Sequence, residues 1–236
     1  MNNLQRIGGA AALIEAATYL IGIIVLVTIL LPAGYVMGEN DPIQSIAFLV
    51  ENQTFMHLWH LIIYIINGIF LVVLVQALYE RLKVDTPAMA QTTAAFGLIW
   101  AGLVIASGLL LIKDAGVVAE LYETDPAQAA TVWIALSAVE NALGGGIELP
   151  GGLWLLLVSW AALRSGALPR ALNLFGLVIG GAGILMVLPA LDTLGAVFGL
   201  GSIVWFIWVG IVMLRYNARP ATQQPETLLA HHKGAI

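Results

Sequence analysis

The sequence contains no cysteine among its 236 residues. The chain therefore cannot form a disulfide, a thiolate nucleophile, a cysteine-ligated zinc site or a cysteine-held iron–sulfur cluster. Charge is also scarce: 10% of the residues are charged, whereas soluble domains carry about 25%. No basic patch with interleaved aromatic residues occurs, which argues against a nucleic-acid partner. Since 60% of the residues are hydrophobic and the mean hydropathy is +0.95, composition predicts an integral membrane protein whose first partner is the lipid bilayer.

Apolar segments of membrane-spanning length recur along the chain, since about 20 helical residues cross a bilayer core of ~30 Å. They predict an all-α, polytopic membrane helix bundle with six transmembrane helices, the fourth element broken at a Gly/Pro hinge. The six elements are expected over residues 7–31, 55–79, 87–112, 127–164, 170–188 and 194–214. A short surface helix is expected after Asp41-Pro42. Residues 1–216 are predicted to form a single transmembrane domain, followed by a disordered cytoplasmic tail over 217–236.

The fourth element is the most unusual stretch, because 127–164 is far longer than one straight span requires. It contains three consecutive glycines at 144–146 and then Pro150-Gly151-Gly152, residues that interrupt a helix. The simplest division is an outer or re-entrant helix over 127–143 and a spanning helix over 148–164. A tilted, kinked single helix is the alternative. Glu140 and Glu148 flank the break in either case.

Basic residues are distributed unequally between the two sides of the predicted bundle, and Lys and Arg favour the cytoplasmic side of a membrane. Lys113 is the one basic residue on the opposite side. The sequence therefore predicts a multi-pass protein of a bacterial inner (plasma) membrane with both termini in the cytoplasm. The basic residues on the predicted cytoplasmic side are Arg6, Arg81, Lys83, Arg164, Arg170, Arg215, Arg219 and Lys233.

Polar side chains inside the apolar segments are candidates for a binding site, because lipid offers them no partner. In the second element, His57, His60, Tyr64 and Asn67 occur at helical spacing on one face. Four of the candidates lie toward the outer side and are expected to meet in one outward-facing cavity, with Glu15 deeper. The alternative is a structural role, since polar contacts between membrane helices contribute about 0.6 to 2 kcal/mol each. The hypothesised ligand- or ion-binding residues are Glu15, His57, His60, Asn67, Glu140 and Glu148.

No cofactor is predicted, and the catalytic residues, if there are any, stay unassigned. A haem held by two histidines needs ligands on opposing helices, whereas both membrane histidines lie on one face of one helix. His57 and His60 are weak metal candidates, because a zinc site of these two residues and one Glu would lack a third histidine. No Walker loop, dinucleotide fingerprint or calcium-binding loop occurs in the sequence.

The segment LRSGALPRALNLFGLVIGGAGIL (163–185) combines a Leu168-Pro169-Arg170 turn with a glycine-bearing helix, and the chain continues to VWFIWVGIVMLR (204–215). Over roughly its last third the chain thereby resembles the bacterial six-helix integral membrane proteins catalogued as a domain of unknown function, the DUF4386-like family. The resemblance implies the six-helix topology. It implies no catalytic residues, because no activity is established for the family.

Two classes of function fit these observations, and a third is less specific. The favoured one is binding or permeation of a cation, proton or small polar ligand through an outward-facing polar cavity. The alternatives are an intramembrane metal-dependent enzyme that uses His60 and Glu140, and an accessory subunit of a membrane complex. The fifth and sixth elements each carry a G-x-x-x-G pair, at 176–180 and 195–199, which suits close helix packing and a homodimer or membrane partner.

Overall fold

The computed structural model describes residues 2–35, 42–145 and 149–215, and within these ranges all regular structure is helical. Three helices contain a π-helical segment, at Leu26–Leu30, Leu61–Ile66 and Asn141–Gly145. We number the helices α1 (Asn2–Val25, continued by the first π segment), α2 (Pro42–Glu51), α3 (Gln53–Leu82, containing the second), α4 (Pro87–Thr124), α5 (Pro126–Glu140, continued by the third), α6 (Leu149–Ser165), α7 (Arg170–Leu185) and α8 (Leu194–Leu214).

Six of these helices pack as a closed ring in the order α1, α3, α4, α6, α7, α8, with α8 returning to α1. Helices α2 and α5 pack against α4 and against each other.

In the described ranges, α1, α3, α4 and α8 are long and apolar enough to cross a membrane. At 17 and 16 residues, α6 and α7 are about 26 and 24 Å long, somewhat less than the ~30 Å core of a bilayer. The chain is therefore an all-helical membrane protein.

The basic segments gather at one end of the ring. Gln5 Nε2 donates to the carbonyl of Ala77 at 2.8 Å, and Arg81 Nη1 donates to Gln5 Oε1 at 3.3 Å. Arg81 also donates to the carbonyl of Ala167 in the α6–α7 loop, from Nε at 2.9 Å and from Nη2 at 2.6 Å. These contacts hold the start of α1, the end of α3 and the α6–α7 loop together. We call this the basic end, and the opposite end the acidic end.

The prediction for the third element is wrong at its carboxyl end. Instead of stopping at residue 112 before an acidic loop, α4 continues to Thr124 and is about 57 Å long at 1.5 Å per residue. The reason is an apolar stripe along this charged part of the helix: Ala115, Val118 and Ala119 are buried at helical spacing. The predicted start of the next helix is confirmed, because Asp125 Oδ1 accepts from the N–H groups of residues 127 and 128 at 3.1 and 3.0 Å.

The fourth predicted element consists of two helices, α5 and α6, which run one after the other along α4. Their bounds agree with the predicted division. Residues 146–148, including Glu148 and the centre of the predicted hinge, lie outside the described residues. Residues 36–41, which include the predicted cap Asp41, also lie outside the described residues. The predicted tail does too, because the described residues end at 215. A short helix is present after Asp41, as expected: α2.

The interior of the ring is filled by aromatic rings that interlock at its centre. The indole of Trp154 on α6 lies 5.6 Å from that of Trp100 on α4 and 5.7 Å from that of Trp205 on α8, between ring centroids. Phe198 and Phe206 of α8 pack against the same cluster. All five side chains are buried. The axis of the ring is therefore occupied by side chains.

A second apolar cluster lies toward the acidic end. It joins the end of α1, the start of α3, the extension of α4, and the helices α2 and α5. We call this assembly the outer lobe. Its buried members are Leu30, Tyr35, Ile46, Leu49, Met56, Trp59, Ala115, Val118, Ala129 and Trp133.

Glycine lets α6 and α7 approach until their backbones touch. A Cβ on Gly180 would lie 2.7 Å from the nitrogen of Leu156 and 2.9 Å from the carbonyl oxygen of Gly152. The first predicted G-x-x-x-G pair is thus used within the chain, against α6. Gly199, from the second pair, has nothing within 4 Å of its Cβ position in the described structure.

We expect Gly180→Ala to lower the free energy of unfolding by roughly 1–2 kcal/mol, because the added methyl group forces two backbones apart. Gly181→Ala is the matched control, since nothing lies within 4 Å of its Cβ position. It should be neutral or stabilising by up to about 1 kcal/mol, the helix propensity of alanine over glycine. Thermal unfolding of both variants in detergent measures the difference. Equal stability of the two would contradict the backbone contact.

Candidate functional site

The predicted polar face of α3 is present in the structure and lies between the ring and the outer lobe. His60 and Asn67 are fully or almost fully buried, while His57 is half-buried. His57 Nε2 lies 3.3 Å from the carbonyl oxygen of Ile112 on α4, so its ring contacts the neighbouring helix. The face continues through Tyr64, one turn beyond His60. Two acids from other helices reach this face.

The first acid is Glu140, at the end of α5. The hydroxyl of Tyr64 donates to Glu140 Oε1 at 3.0 Å. Glu140 is 1% exposed, and its second oxygen, Oε2, is buried without a hydrogen-bond partner in the described structure. No basic side chain pairs with it, since the ion pair found in the described ranges joins Lys83 and Glu80 at the basic end. Glu140 is therefore a buried acid without a counter-ion, held by one phenol.

His60 lies next to the same tyrosine. Its ring centroid is 6.0 Å from that of Tyr64 and 5.1 Å from that of Trp59. Both imidazole nitrogens are buried and lack a hydrogen-bond partner in the described structure. His60 and Glu140, two of the predicted site residues, thus share Tyr64 as a neighbour and do not hydrogen-bond to each other. The imidazole keeps both a donor and an acceptor available.

Aromatic side chains of the outer lobe cover this group. Tyr35 packs edge-on against Trp133, with ring centroids 6.0 Å apart. Burial, and secondarily the charge of Glu140, raise the pKa of the Tyr35 hydroxyl, so this hydroxyl stays protonated. The hydroxyl of Tyr35 and the indole N–H groups of Trp59 and Trp133 are buried without acceptors in the described structure. Sequence analysis missed these three residues, because aromatic residues in apolar segments carry no sign of the face they occupy.

The second acid is Glu15 of α1, one turn further along α3. Asn67 Nδ2 donates to Glu15 Oε2 at 2.5 Å and to Thr18 Oγ1 at 2.9 Å. Thr18 in turn donates to the carbonyl of Glu15 at 2.8 Å. Glu15 is fully buried, and its Oε1 has no hydrogen-bond partner in the described structure. The two acids therefore attach to successive turns of one helix, Glu140 at Tyr64 and Glu15 at Asn67.

Two of the three π-helical segments coincide with these polar residues. His60 immediately precedes the segment Leu61–Ile66, Tyr64 lies inside it, and Asn67 follows it. Glu140 immediately precedes the segment Asn141–Gly145. Such insertions often occur at functional sites, where the extra residue in a turn redirects side chains. Here the two segments lie next to the polar side chains that point away from lipid and into the protein.

Of the six predicted site residues, five lie in the described structure and Glu148 lies outside it. His60 and Glu140 come together through Tyr64, and Asn67 binds Glu15. His57 contacts a backbone carbonyl at the edge of this group. In the described ranges, no three His, Asp or Glu side chains gather as a metal ion would require. The weak metal candidates His57 and His60 thus gain no third ligand from the residues described.

Comparison with known proteins adds family membership and no chemistry. A family model described as a domain of unknown function, DUF4386, matches residues 7–214. This match spans most of the chain and confirms the resemblance noted in the turn at residues 168–170 and the last helix. Neither the curated proteins nor the solved structures contain a match.

Proposed function

The chain belongs to the DUF4386 family, whose description states no activity. From the chain's own residues, we propose that it binds a small cation at Glu140. The supporting observation is a buried carboxyl group whose Oε2 lacks a partner and whose Oε1 accepts from Tyr64. An isolated buried carboxylate is costly, so such a group binds a proton or a positive partner. The site residues proposed are Glu140, His60 and Tyr64, with Glu15 and Asn67 one level deeper.

The surroundings of Glu140 favour an organic cation. The rings of Tyr35, Trp59 and Trp133 belong to one buried cluster, and Trp59 also packs against His60. Aromatic faces attract alkylated ammonium groups. The imidazole of His60 and the aromatic donors can also bind the polar atoms of such a ligand. The same features would accept a small neutral polar ligand with lower affinity, because the charge of Glu140 would then be uncompensated.

Binding is better supported than permeation. A path along the ring axis would have to pass Trp100, Trp154 and Trp205, which are at most 1% exposed. The unpartnered polar atoms near Glu140 lie instead at the base of the outer lobe. We therefore propose a site that opens toward the acidic end.

We further propose the membrane arrangement of this site. All six ring helices span the membrane, with a hinge between α5 and α6, and the outer lobe protrudes from the outer face. The basic end faces the cytoplasm of a bacterial cell, so that both termini lie on the cytoplasmic side of the inner membrane, because Lys and Arg favour that side. Residues 1–216 act as one domain. Gly199 is the glycine of the two pairs left for a homodimer contact.

The enzyme alternative has less support. An intramembrane metal-dependent enzyme would need about three protein ligands at the metal, and the described residues bring no such set together. The accessory-subunit alternative explains the glycine surfaces but leaves the buried acids without a role.

Glu140→Gln tests the proposed site. The variant keeps the shape and loses the charge, so we expect tetramethylammonium to bind about tenfold more weakly, as for the loss of a charge-assisted contact. The probe is tetramethylammonium chloride, titrated by calorimetry into the detergent-purified full chain against sodium chloride at equal ionic strength.

Glu120→Gln is the matched control, because Glu120 is an exposed acid on α4 toward the same end. It should bind the probe like the wild type. Tyr64→Phe should weaken binding less than Glu140→Gln, since it removes the phenol and keeps the acid. The proposal would be contradicted if the wild type binds no cation and shows the infrared band of a protonated carboxyl group. Loss of that band in Glu140→Gln would assign the proton to Glu140.

A further inference from the structure

A pocket at the basic end is separate from Glu15 and Glu140, the acids that contact α3. It lies between the carboxyl end of α6 and the amino end of α7, in the turn that carries the Leu-Pro-Arg sequence, and its volume is about 320 Å³. No carboxylate is among the described residues that line it, which are Ala162, Leu163, Gly166, Leu168, Arg170 and Asn173.

Two features of this pocket attract an anion. Helix α7 begins at Arg170 after Pro169 without a side-chain cap, and the N–H groups of a first helical turn have no partner within the helix. These N–H groups and the helix dipole favour a negative group at this position. Arg170, itself exposed, adds a guanidinium group, whose planar donors match the oxygens of a phosphate.

A third feature is independent of charge and points to a ligand with a donor. Asn173 is 1% exposed. Its Nδ2 donates to the carbonyl of Leu168 at 3.1 Å, which fixes the orientation of the amide. Its Oδ1 is a buried acceptor without a partner in the described structure, on a residue that lines the pocket. A bare anion cannot satisfy this oxygen, whereas a hydroxyl group can.

One wall of the pocket is anchored to a neighbouring helix. Gly166 has φ +65°, a conformation that side chains rarely adopt. Arg81 binds the next carbonyl, that of Ala167, with two nitrogens. The loop that forms one wall is therefore anchored to α3 before any ligand binds.

We propose that this pocket binds a phosphate ester with a neighbouring hydroxyl group, as in the glycerol phosphate headgroup of an anionic phospholipid. The phosphate binds Arg170 and the first turn of α7, and the hydroxyl donates to Asn173 Oδ1. The position of the pocket suits a headgroup, because the basic end of a membrane protein faces anionic lipid.

The first test compares two arginines of the same end. Arg170→Gln in the full-length, delipidated protein should bind phosphatidylglycerol about fivefold more weakly, the effect of one basic residue near anionic lipid. Arg170→Lys should retain most of the affinity. Arg164→Gln is the matched control, since Arg164 is exposed, is on the preceding helix and does not line the pocket. Native mass spectrometry of the bound lipid is the measurement. Equal losses in Arg170→Gln and Arg164→Gln would overturn the proposal in favour of diffuse attraction.

The second test addresses the hydroxyl group and the source of the phosphate. The wild type should prefer phosphatidylglycerol over phosphatidylmethanol, which has the same charge and no hydroxyl, by about three- to tenfold, as expected for one hydrogen bond. Asn173→Ala should abolish that preference. If this variant does not fold, the comparison of the two lipids in the wild type decides. Equal binding of both lipids by the wild type would overturn the hydroxyl contact. Protection from thermal unfolding by soluble glycerol phosphate would identify a soluble ester as the source, and protection by the lipid alone a headgroup.

Discussion

Trp154→Ala should lower the free energy of unfolding by about 3 kcal/mol, the lower part of the range for removing a buried aromatic side chain. Trp154 is 1% exposed at the centre of the ring and contacts Trp100, Trp205 and Phe206. Lipid is as apolar as this core, so little of the cost comes from transfer out of water. Most of it comes from the cavity, because α4, α6 and α8 lose van der Waals contacts that they cannot recover by collapsing.

Trp160→Ala is the control for this prediction. It makes the same change on the same helix, at a side chain that is 50% exposed, and surface changes of this kind stay within about 0.5 kcal/mol. Thermal or denaturant unfolding of both variants in one detergent gives the comparison. Similar losses for the two variants would show that the indole cluster does not close the ring.

Asn67→Leu should cost about 2 kcal/mol, within the range for leaving a buried polar group without its partner. Asn67 donates to both Glu15 and Thr18, so the substitution removes the donor that α3 provides to the carboxyl group of α1. Leucine has the same branched outline as asparagine but is larger and apolar, so the main cost is the lost donor. That cost comes from the acid that remains buried, which must stay protonated or draw water into the interface.

A double substitution separates these causes. Glu15→Leu together with Asn67→Leu should recover at least half of the loss, because replacing both partners removes the unsatisfied group. Gln76→Leu is the control, as an exposed amide on the same helix. An additive result in unfolding experiments, with no recovery, would contradict a direct coupling between the two side chains.

The helices of this fold were largely predictable because apolar length fixes where a membrane chain is helical. The exception is the extension of α4, where Lys113, Asp114 and Glu120 resemble a loop in a sequence window. The apolar stripe between those charges decides the structure, since it packs on a neighbouring helix that the sequence does not identify. Hydropathy therefore locates the spans and cannot say how far a helix continues beyond them.

The polar residues of the candidate site were also predictable individually, because polar side chains are rare in such segments. Their pairing was not. Asn67 binds Glu15 and Tyr64 binds Glu140 because α1 and the end of α5 both lie beside α3, an arrangement that depends on the order of helices around the ring. The role of Tyr35 could not be predicted either, since it reaches the site from the loop after α1 through tertiary packing alone.

Closure of the ring has a consequence for how the protein is made. Gly9 of α1 and Gly210 of α8 meet so closely that a Cβ on either would lie 2.9 to 3.0 Å from the carbonyl oxygen of the other. The ribosome makes α1 early and α8 almost two hundred residues later, so this seam stays open during most of synthesis. Until α8 is inserted, the small-residue face of α1 is exposed to lipid and to other membrane helices. The last described helix therefore completes the assembly, and the nascent protein depends on it to bury a surface that was translated first.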